Sequence, residues 1–597
     1  METVSLDDKA VRDLFLSLVP ACKDFLKESL LKERLDNDTL EATGILPQKK
    51  TFQQKYVRLK TKLFYKQQKF NLPREESEGF AKLIVELQNK TDLPSSKTLQ
   101  NIQALIGFFN LDPNRSLDII LEAFENSPHR VNFFVPLLQS YSLEQVTIAH
   151  MLGFKYQFFV EEHITTPKSL HNITALLLHH ELISLEDVYH YLAPSDVEIN
   201  TQYKKEVTNA RQYSRKMSMA VLSAKEDKPD DKDKDKDDKV IDNQKLGLCE
   251  ALLNLGDWIH AKQLLDKLPE FSATANPSVA GALSSLIEKL LDIMYRKKAK
   301  PSGAKSKKCR FDNSGPNVLQ AVSDFIGLRP VFQMCTYLGP YGSNHPLLLW
   351  KLTRLGRVVM ADMKSKDAGK VAAMVPLRNS LLSVIESVLL PSLSLMECNA
   401  SLSEEMWKLL KLFPYEVRYA LYGRWKNYVY TIHPVLIRFK ATVTDNVKYI
   451  MKRLTKDNVK VSGRQLGKLS HANPGVVFEY VLNQIQKYDN FIGPVVDAFK
   501  YLTSLSQDVL AYCMIEAIAN PEKERMKHDN TNLSLWMQSL ASFSGAIFKK
   551  YNIELKGLLQ FVANQLKAGK SYDLLILREV IQKMAGIEIT EEMTLIS

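Results

Sequence analysis

Lys567-Ala568-Gly569-Lys570-Ser571 closes like a phosphate-binding loop. That motif needs a second glycine five residues before Gly569, where this chain has Asn564. The residues before it, Phe561–Leu566, have helical spacing, whereas a phosphate loop follows a strand. Gly569 therefore reads as a helix stop, with Ser571 capping the helix that follows. Gly463-Arg464-Gln465-Leu466-Gly467-Lys468 is one residue too short for the same motif. His179-His180-Glu181 is the densest histidine group. Neighbours on a helix point about 100° apart and cannot easily share a metal, so this group reads as helix-surface polarity. HExxH, zinc-spaced His/Cys pairs, a GxSxG elbow and glycine-framed carboxylate pairs do not occur. The sequence offers no catalytic, cofactor-binding or metal-ligating residue, and the expectation is a protein that is not an enzyme.

Residues suited to binding are more prominent. Between Lys440 and Lys468 lie Lys440, Lys448, Lys452, Arg453, Lys456, Lys460, Arg464 and Lys468, opposed by Asp445 and Asp457 alone. Lys452, Arg453, Lys456, Lys460, Arg464 and Lys468 would contact phosphates in a sequence-independent, salt-sensitive way. Alternatively, they are the solvated face of a helix and its loop. A second cluster comprises Arg296, Lys297, Lys298, Lys300, Lys305, Lys307, Lys308 and Arg310, with no acid among them. It reads as a nuclear-import signal, an RNA-contacting loop or a plain surface loop. Tyr415, Tyr419, Tyr422 and Trp425 fall on one helix face and could stack bases, although packing against a neighbouring helix is the expectation.

The elements that must position these residues are helices. Apolar residues recur at three- and four-residue spacing in Leu533/Trp536/Leu540/Phe543/Ile547, in Leu510/Cys513/Met514/Ala517/Ile518 and in Leu574/Leu577/Ile581/Met584. Alternating runs such as Asn458–Val461 are rare and short. Breakers at Asn473-Pro474, Gly493-Pro494, Asn520-Pro521, Gly557 and Gly569 separate single helices, so a helical hairpin takes about 40 residues. In Asn243–Pro269, Gly256 can adopt the left-handed helix end and Asp257 can cap the next helix. The expected fold is all-α, an α-solenoid of irregular HEAT-like hairpins. The chain has 597 residues, and its hydrophobic fraction of 45% and charged fraction of 25% exclude wholesale disorder; the net charge of +11 is a mild basic bias. Six scattered cysteines without a CxxC pair suit a reducing compartment, where they act as small buried apolar groups. No leader pattern and no apolar run of about 18 residues is present, so the expectation is a soluble intracellular protein. Lys225–Lys239 carries six Lys against eight acids and no apolar residue, and reads as a disordered linker. The expected bodies are 1–224, a charged linker 225–240, a helical-repeat body 241–570 with the basic loop at 296–310, and a final segment 571–597.

Three stretches carry a resemblance: Phe413–Asn427 (FPYEVRYALYGRWKN), Tyr449–Pro474 (YIMKRLTKDNVKVSGRQLGKLSHANP), and Ala511–Met593, with SLWMQSLASF and LLQFVANQLKAGKSYDLLILREV. They resemble the THO complex subunit 2 family, with Val417 and Ala420 departing from its polar pattern. The resemblance implies a nuclear α-helical scaffold of the transcription-export (TREX) complex, acting in mRNA processing, splicing and mRNA export. It implies the other THO subunits as partners, together with a DEAD-box RNA helicase and mRNA, and no cofactor or membrane. It further implies that 571–597 begins an MIF4G-like repeat, and that the helicase surface and basic tail of the family lie beyond Ser597. Helicase recruitment would then be weakened, and such a chain could compete with a longer form. The alternative is a direct, salt-sensitive RNA-binding helical protein.

Overall fold

Short polar residues open many of the helices. The side-chain oxygens of Asn243, Asp257, Asn399 and Thr503 each accept the backbone N–H three residues on, at 3.0–3.3 Å. Each bond satisfies one of the donors that a helix start leaves without a partner. Gly256 ends its helix at φ +94° and Gly569 lies beyond its own at φ +75°, a region costly for residues with a Cβ. In the computed structural model, the described residues are 9–88, 94–141, 144–219, 242–299, 319–364, 368–526 and 533–586. Among them there is no β-strand, and Met526 and Leu533 form an isolated bridge. The all-α expectation holds. Among the described residues, no helix is long and apolar enough to cross a membrane.

The chain divides into two compact units, Met1–Tyr141 and Ser142–Ser597. In the first, Lys49–Gln88 is a helix of 40 residues. Its C-terminal part packs on Ser95–Phe109 and Pro113–Asn126, burying Phe80, Leu83 and Leu87 with Ile102, Leu121 and Phe124. Phe124 stacks on Phe134 at 5.0 Å between ring centres.

In the second unit, alternate helices stack into two layers. One layer runs Pro434–Arg453, Pro474–Ile485, Ser504–Ala519, Lys556–Lys567, each packed on the next. The other runs Val459–Ala472, Ile492–Ala498, Leu535–Lys550, Leu574–Ala585. This order is that of a solenoid: each hairpin buries its apolar faces against the hairpins before and after it. Some contacts join helices far apart in the chain: Asp196–Met219 lies along Pro434–Arg453. The linker at 225–240 lies outside the described residues, and the helices before and after it, Asp196–Met219 and Gln244–Leu255, both belong to this unit.

Local expectations fared unevenly. Leu510, Cys513, Met514 and Ile518 are buried, as are Leu540, Phe543 and Ile547. In the last helix the stripe is reversed: Leu574, Ile581 and Met584 are 41–54% exposed, and Ile576 and Val580 are buried instead. The helix carries two apolar stripes, and Leu535–Lys550 packs on the second, where Gly545 presses within 2.7 Å of the Glu579 carbonyl (measured from an added Cβ). The alternating run at 458–461 is a helix start, not a strand. Ser571 does not cap the last helix, whose N-cap position is Asp573. Cys249, Cys335 and Cys513 are buried, and burial pushes the Cys249 thiol up to about 12. Cys398 departs from that pattern and is exposed.

Candidate nucleic-acid and partner interface

The basic stripe of 452–468 spans a helix end, a turn and the outer face of the next helix. Pro434–Arg453 stops at Leu454, which is extended. Asn458 ties the turn: its amide donates to the Arg453 carbonyl at 2.5 Å and its Oδ1 accepts from the Thr455 N–H at 2.8 Å. Val459–Ala472 then presents Gly463 and Gly467 to Ala498–Tyr501. A Cβ on Gly463 would lie 2.8 Å from the Ala498 carbonyl, and one on Gly467 would lie 2.9 Å from Tyr501. That close backbone approach determines which face is buried. Lys460, Arg464 and Lys468, four residues apart, are left on the outside.

All six cations, Lys452, Arg453, Lys456, Lys460, Arg464 and Lys468, are exposed. The Arg453 guanidinium lies 3.8 Å over the Tyr449 ring and Arg464 lies 5.8 Å from Tyr501. Among the described residues, Lys452, Lys456, Lys460 and Lys468 make no ion pair. Lys440, by contrast, reaches Glu479 at 3.8 Å. The ridge can contact phosphate or a carboxylate-bearing partner without first breaking an internal salt bridge. Guanidinium–tyrosine stacks add flat surfaces to which bases could extend.

The second basic cluster is only partly in view. Arg296, Lys297 and Lys298 lie in the helical turn Tyr295–Ala299. Arg296 forks onto the buried Asp292 carboxylate at 2.9 and 3.0 Å, whereas Lys297 and Lys298 are exposed. Lys300, Lys305, Lys307, Lys308 and Arg310 lie outside the described residues.

The aromatic row is core rather than surface. Tyr422 and Trp425 are buried, and Tyr419 packs edge-on to Tyr512 at 5.6 Å. The Trp425 indole donates to the Ser394 hydroxyl at 2.8 Å, and Ser394 joins Tyr430 and Asn473 in a buried polar chain. The Tyr422 hydroxyl donates to Asp508 at 2.8 Å. Burial pushes that hydroxyl well above its ordinary range, and the Asp508 charge adds to the effect.

Sequence reading missed two buried charge clusters. Arg418 and Asp508 are each 4% exposed and meet through two bonds of 2.9 and 3.2 Å. Arg418 also donates to Glu554 at 2.6 Å and to the Phe413 carbonyl at 3.1 Å. Asp508, on Ser504–Ala519, and Glu554, in the loop before Lys556–Lys567, lie far along the chain, so spacing held no signal for them. His179 is likewise buried, not on the surface. His179 Nδ1 lies 3.3 Å from Asp257 Oδ2, and His260 Nδ1 approaches the same oxygen at 2.7 Å. Burial works to raise the Asp257 carboxyl, but the bonds from His179 and His260 overcome it and hold the acid below the usual carboxylate range. The role of Asp257 as helix cap was legible; its role as anchor for two histidines was not. Among the described residues, no cluster of three or more His, Cys, Asp or Glu could hold a metal ion.

The family comparison covers this geometry. A family described as THO complex subunit 2 N-terminus matches residues 2–324 and 316–464. The chain belongs to the THO complex subunit 2 family. A second family, described as a transcription- and export-related complex subunit, matches residues 466–541. THO complex subunit 2 of Mus musculus is 53% identical over 608 residues, covering 100% of this chain and 38% of that protein. The Homo sapiens protein of the same name is 53% identical over 612 residues, and that of Arabidopsis thaliana 35% over 612 residues, covering 95% of this chain and 33% of the plant protein. The chain thus spans 38% of the length of the mammalian THO subunits it matches. The two THO-family matches meet inside Val459–Ala472, so the basic ridge crosses their junction.

Proposed function

We propose that this chain works as a scaffold subunit in a THO-type transcription-export (TREX) assembly in the nucleus, coupling mRNA processing to export. The observation that carries the reading is the family match along nearly the whole sequence, at 53% identity to mammalian THO complex subunit 2. Helical hairpins stacked in two layers suit the role, since grooves between adjacent pairs can receive partner helices. Its partners would be the other THO subunits, with a DEAD-box RNA helicase joining the assembly. The chain would act by binding, without chemistry of its own. Capture from nuclear extract at low and high salt, read by mass spectrometry, tests this: the other THO subunits should be recovered at both. Recovery of none of them would overturn it.

A second activity of the same body is direct RNA contact by Lys452, Arg453, Lys456, Lys460, Arg464 and Lys468. Its support is their shared exposure and the four lysines that lack ion pairs among the described residues. RNA affinity should fall steeply with salt, and neutralising the ridge should flatten that dependence. An affinity indifferent to salt would refute the contact. The basic segment 296–310 is proposed as the nuclear-import signal, testable by whether replacing Lys297 and Lys298 with Gln moves the chain to the cytoplasm.

A further inference from the structure

The two halves of the helix Lys49–Gln88 have opposite surroundings. Near its C-terminal end, Phe80, Leu83 and Leu87 are no more than 7% exposed. Towards its start, every described side chain from Lys49 to Gln67 is exposed, including Tyr56, Val57, Leu59, Leu63, Phe64 and Tyr65 at 52–65%. A helix that stands in solvent is ordinarily polar all round, but this one is not. At about 100° per residue, Leu59, Leu63, Tyr56, Phe64 and Val57 fall within an arc of about 160°. Lys60 interrupts the arc with its ammonium 5.6 Å over the Tyr56 ring. Lys55, Arg58, Lys62 and Lys66 gather within about 80° along one edge of that arc. The opposite edge is less charged, with Thr61 and Gln54 beside Lys50. From Lys49 to Arg74 there is no acidic residue.

We propose that residues 49–67 form a docking helix for a protein partner. The partner would offer an apolar groove between two helices, with Asp and Glu along one rim. The proposal rests on the complex-subunit reading above but concerns a different surface from the basic ridge. An apolar arc this wide exceeds the narrow seam of a two-helix coiled coil, which is why a groove fits better than a single helix. The acid-free sequence excludes a second copy of this helix, because like charges would line both sides of the contact. Single-stranded RNA would engage the basic edge but would leave Leu59, Leu63 and Val57 uncovered. The concentration of four cations on one edge, against Lys50 on the other, also sets the direction in which the helix can lie, since reversing it would turn Arg58 and Lys62 away from the acidic rim.

The test uses the full chain, reconstituted with the remaining THO subunits. A carbodiimide cross-linker joins lysine amines to carboxylates in direct contact, and mass spectrometry locates the links. The expected result is that Lys55, Lys62 and Lys66 link to Asp or Glu of one partner subunit, clustered beside an apolar groove. The double variant Leu59→Asp/Leu63→Asp should weaken that subunit's binding by about 30-fold or more, as removal of an interface anchor does. Its unfolding midpoint should not move, because both leucines are already exposed. Wild-type binding by this double variant, without those cross-links, would overturn the docking helix while leaving the subunit reading intact. Failure of the wild-type chain to bind any THO subunit would overturn both. Loss of affinity for a 30-uridine RNA in Lys55→Gln/Arg58→Gln/Lys62→Gln, with the leucine variant inert towards protein, would reassign the surface to nucleic acid.

Discussion

Arg418 and Lys460 are both cations on helices of the second unit and have opposite fates. Arg418 is 4% exposed and held by Asp508 and Glu554; Lys460 is exposed, with no ion pair among the described residues. Neither has an acid beside it in sequence that fixes its fate. Asp508 on a later helix and Glu554 in a later loop reach Arg418 because the two-layer stack brings them across. At Lys460, Gly463 and Gly467 turn the basic face outward instead. A cation is structural or available for a partner according to which acid the fold delivers to it.

The contrast can be broken most forcefully at the buried end. Asp508→Ala leaves the Arg418 guanidinium buried with only Glu554 as counter-charge, and should destabilise the second unit by about 3–5 kcal/mol in denaturant unfolding. A cost below about 1 kcal/mol would mean that Arg418 escapes to solvent. Next in size is acidification. His171 and His433 are buried, and burial lowers both to about 4. Unfolded histidine titrates near 6.5, so below that pH the unfolded chain binds more protons than the folded one. The stability these two groups confer is complete above about pH 6.5 and is lost as pH falls towards 4, by up to about 3 kcal/mol each. His260 works the other way, because its bond to Asp257 raises it. Replacing His171 or His433 with Gln should flatten the decline in unfolding free energy between pH 7 and 4.5.

Gly467→Leu tests what turns the ridge outward. Its side chain would collide with Tyr501, costing about 1–3 kcal/mol by overpacking and weakening RNA binding if that helix face sets the ridge. The smallest effect on stability belongs to Lys456→Gln/Lys460→Gln/Arg464→Gln/Lys468→Gln, within about 0.5 kcal/mol. The same variant should lower the salt slope of RNA binding by about 3 if all four touch single-stranded phosphates. An unchanged slope would leave the ridge as solvated surface.

The helices and their ends were legible because they depend on neighbours in sequence. Gly256 and Asp257 read correctly, since a helix end or cap is made by residues three or four apart. The ridge was legible as a run of charge for the same reason. His179 was misread because its partner, Asp257, is 78 residues away. The last helix was misread because it carries two apolar stripes, and the neighbour chose between them.

Local chemistry along the chain therefore sets where helices start and stop, that hairpins stack, and where positive charge accumulates. Packing decides the rest. It determines that Asp508 neutralises Arg418, that the aromatic row from Tyr415 to Trp425 faces largely inward, and that one half of Lys49–Gln88 is core while the other half stands in solvent. The reason is range: a cap or stripe is a bond between near neighbours, whereas burial and charge pairing depend on which distant helix arrives against each face.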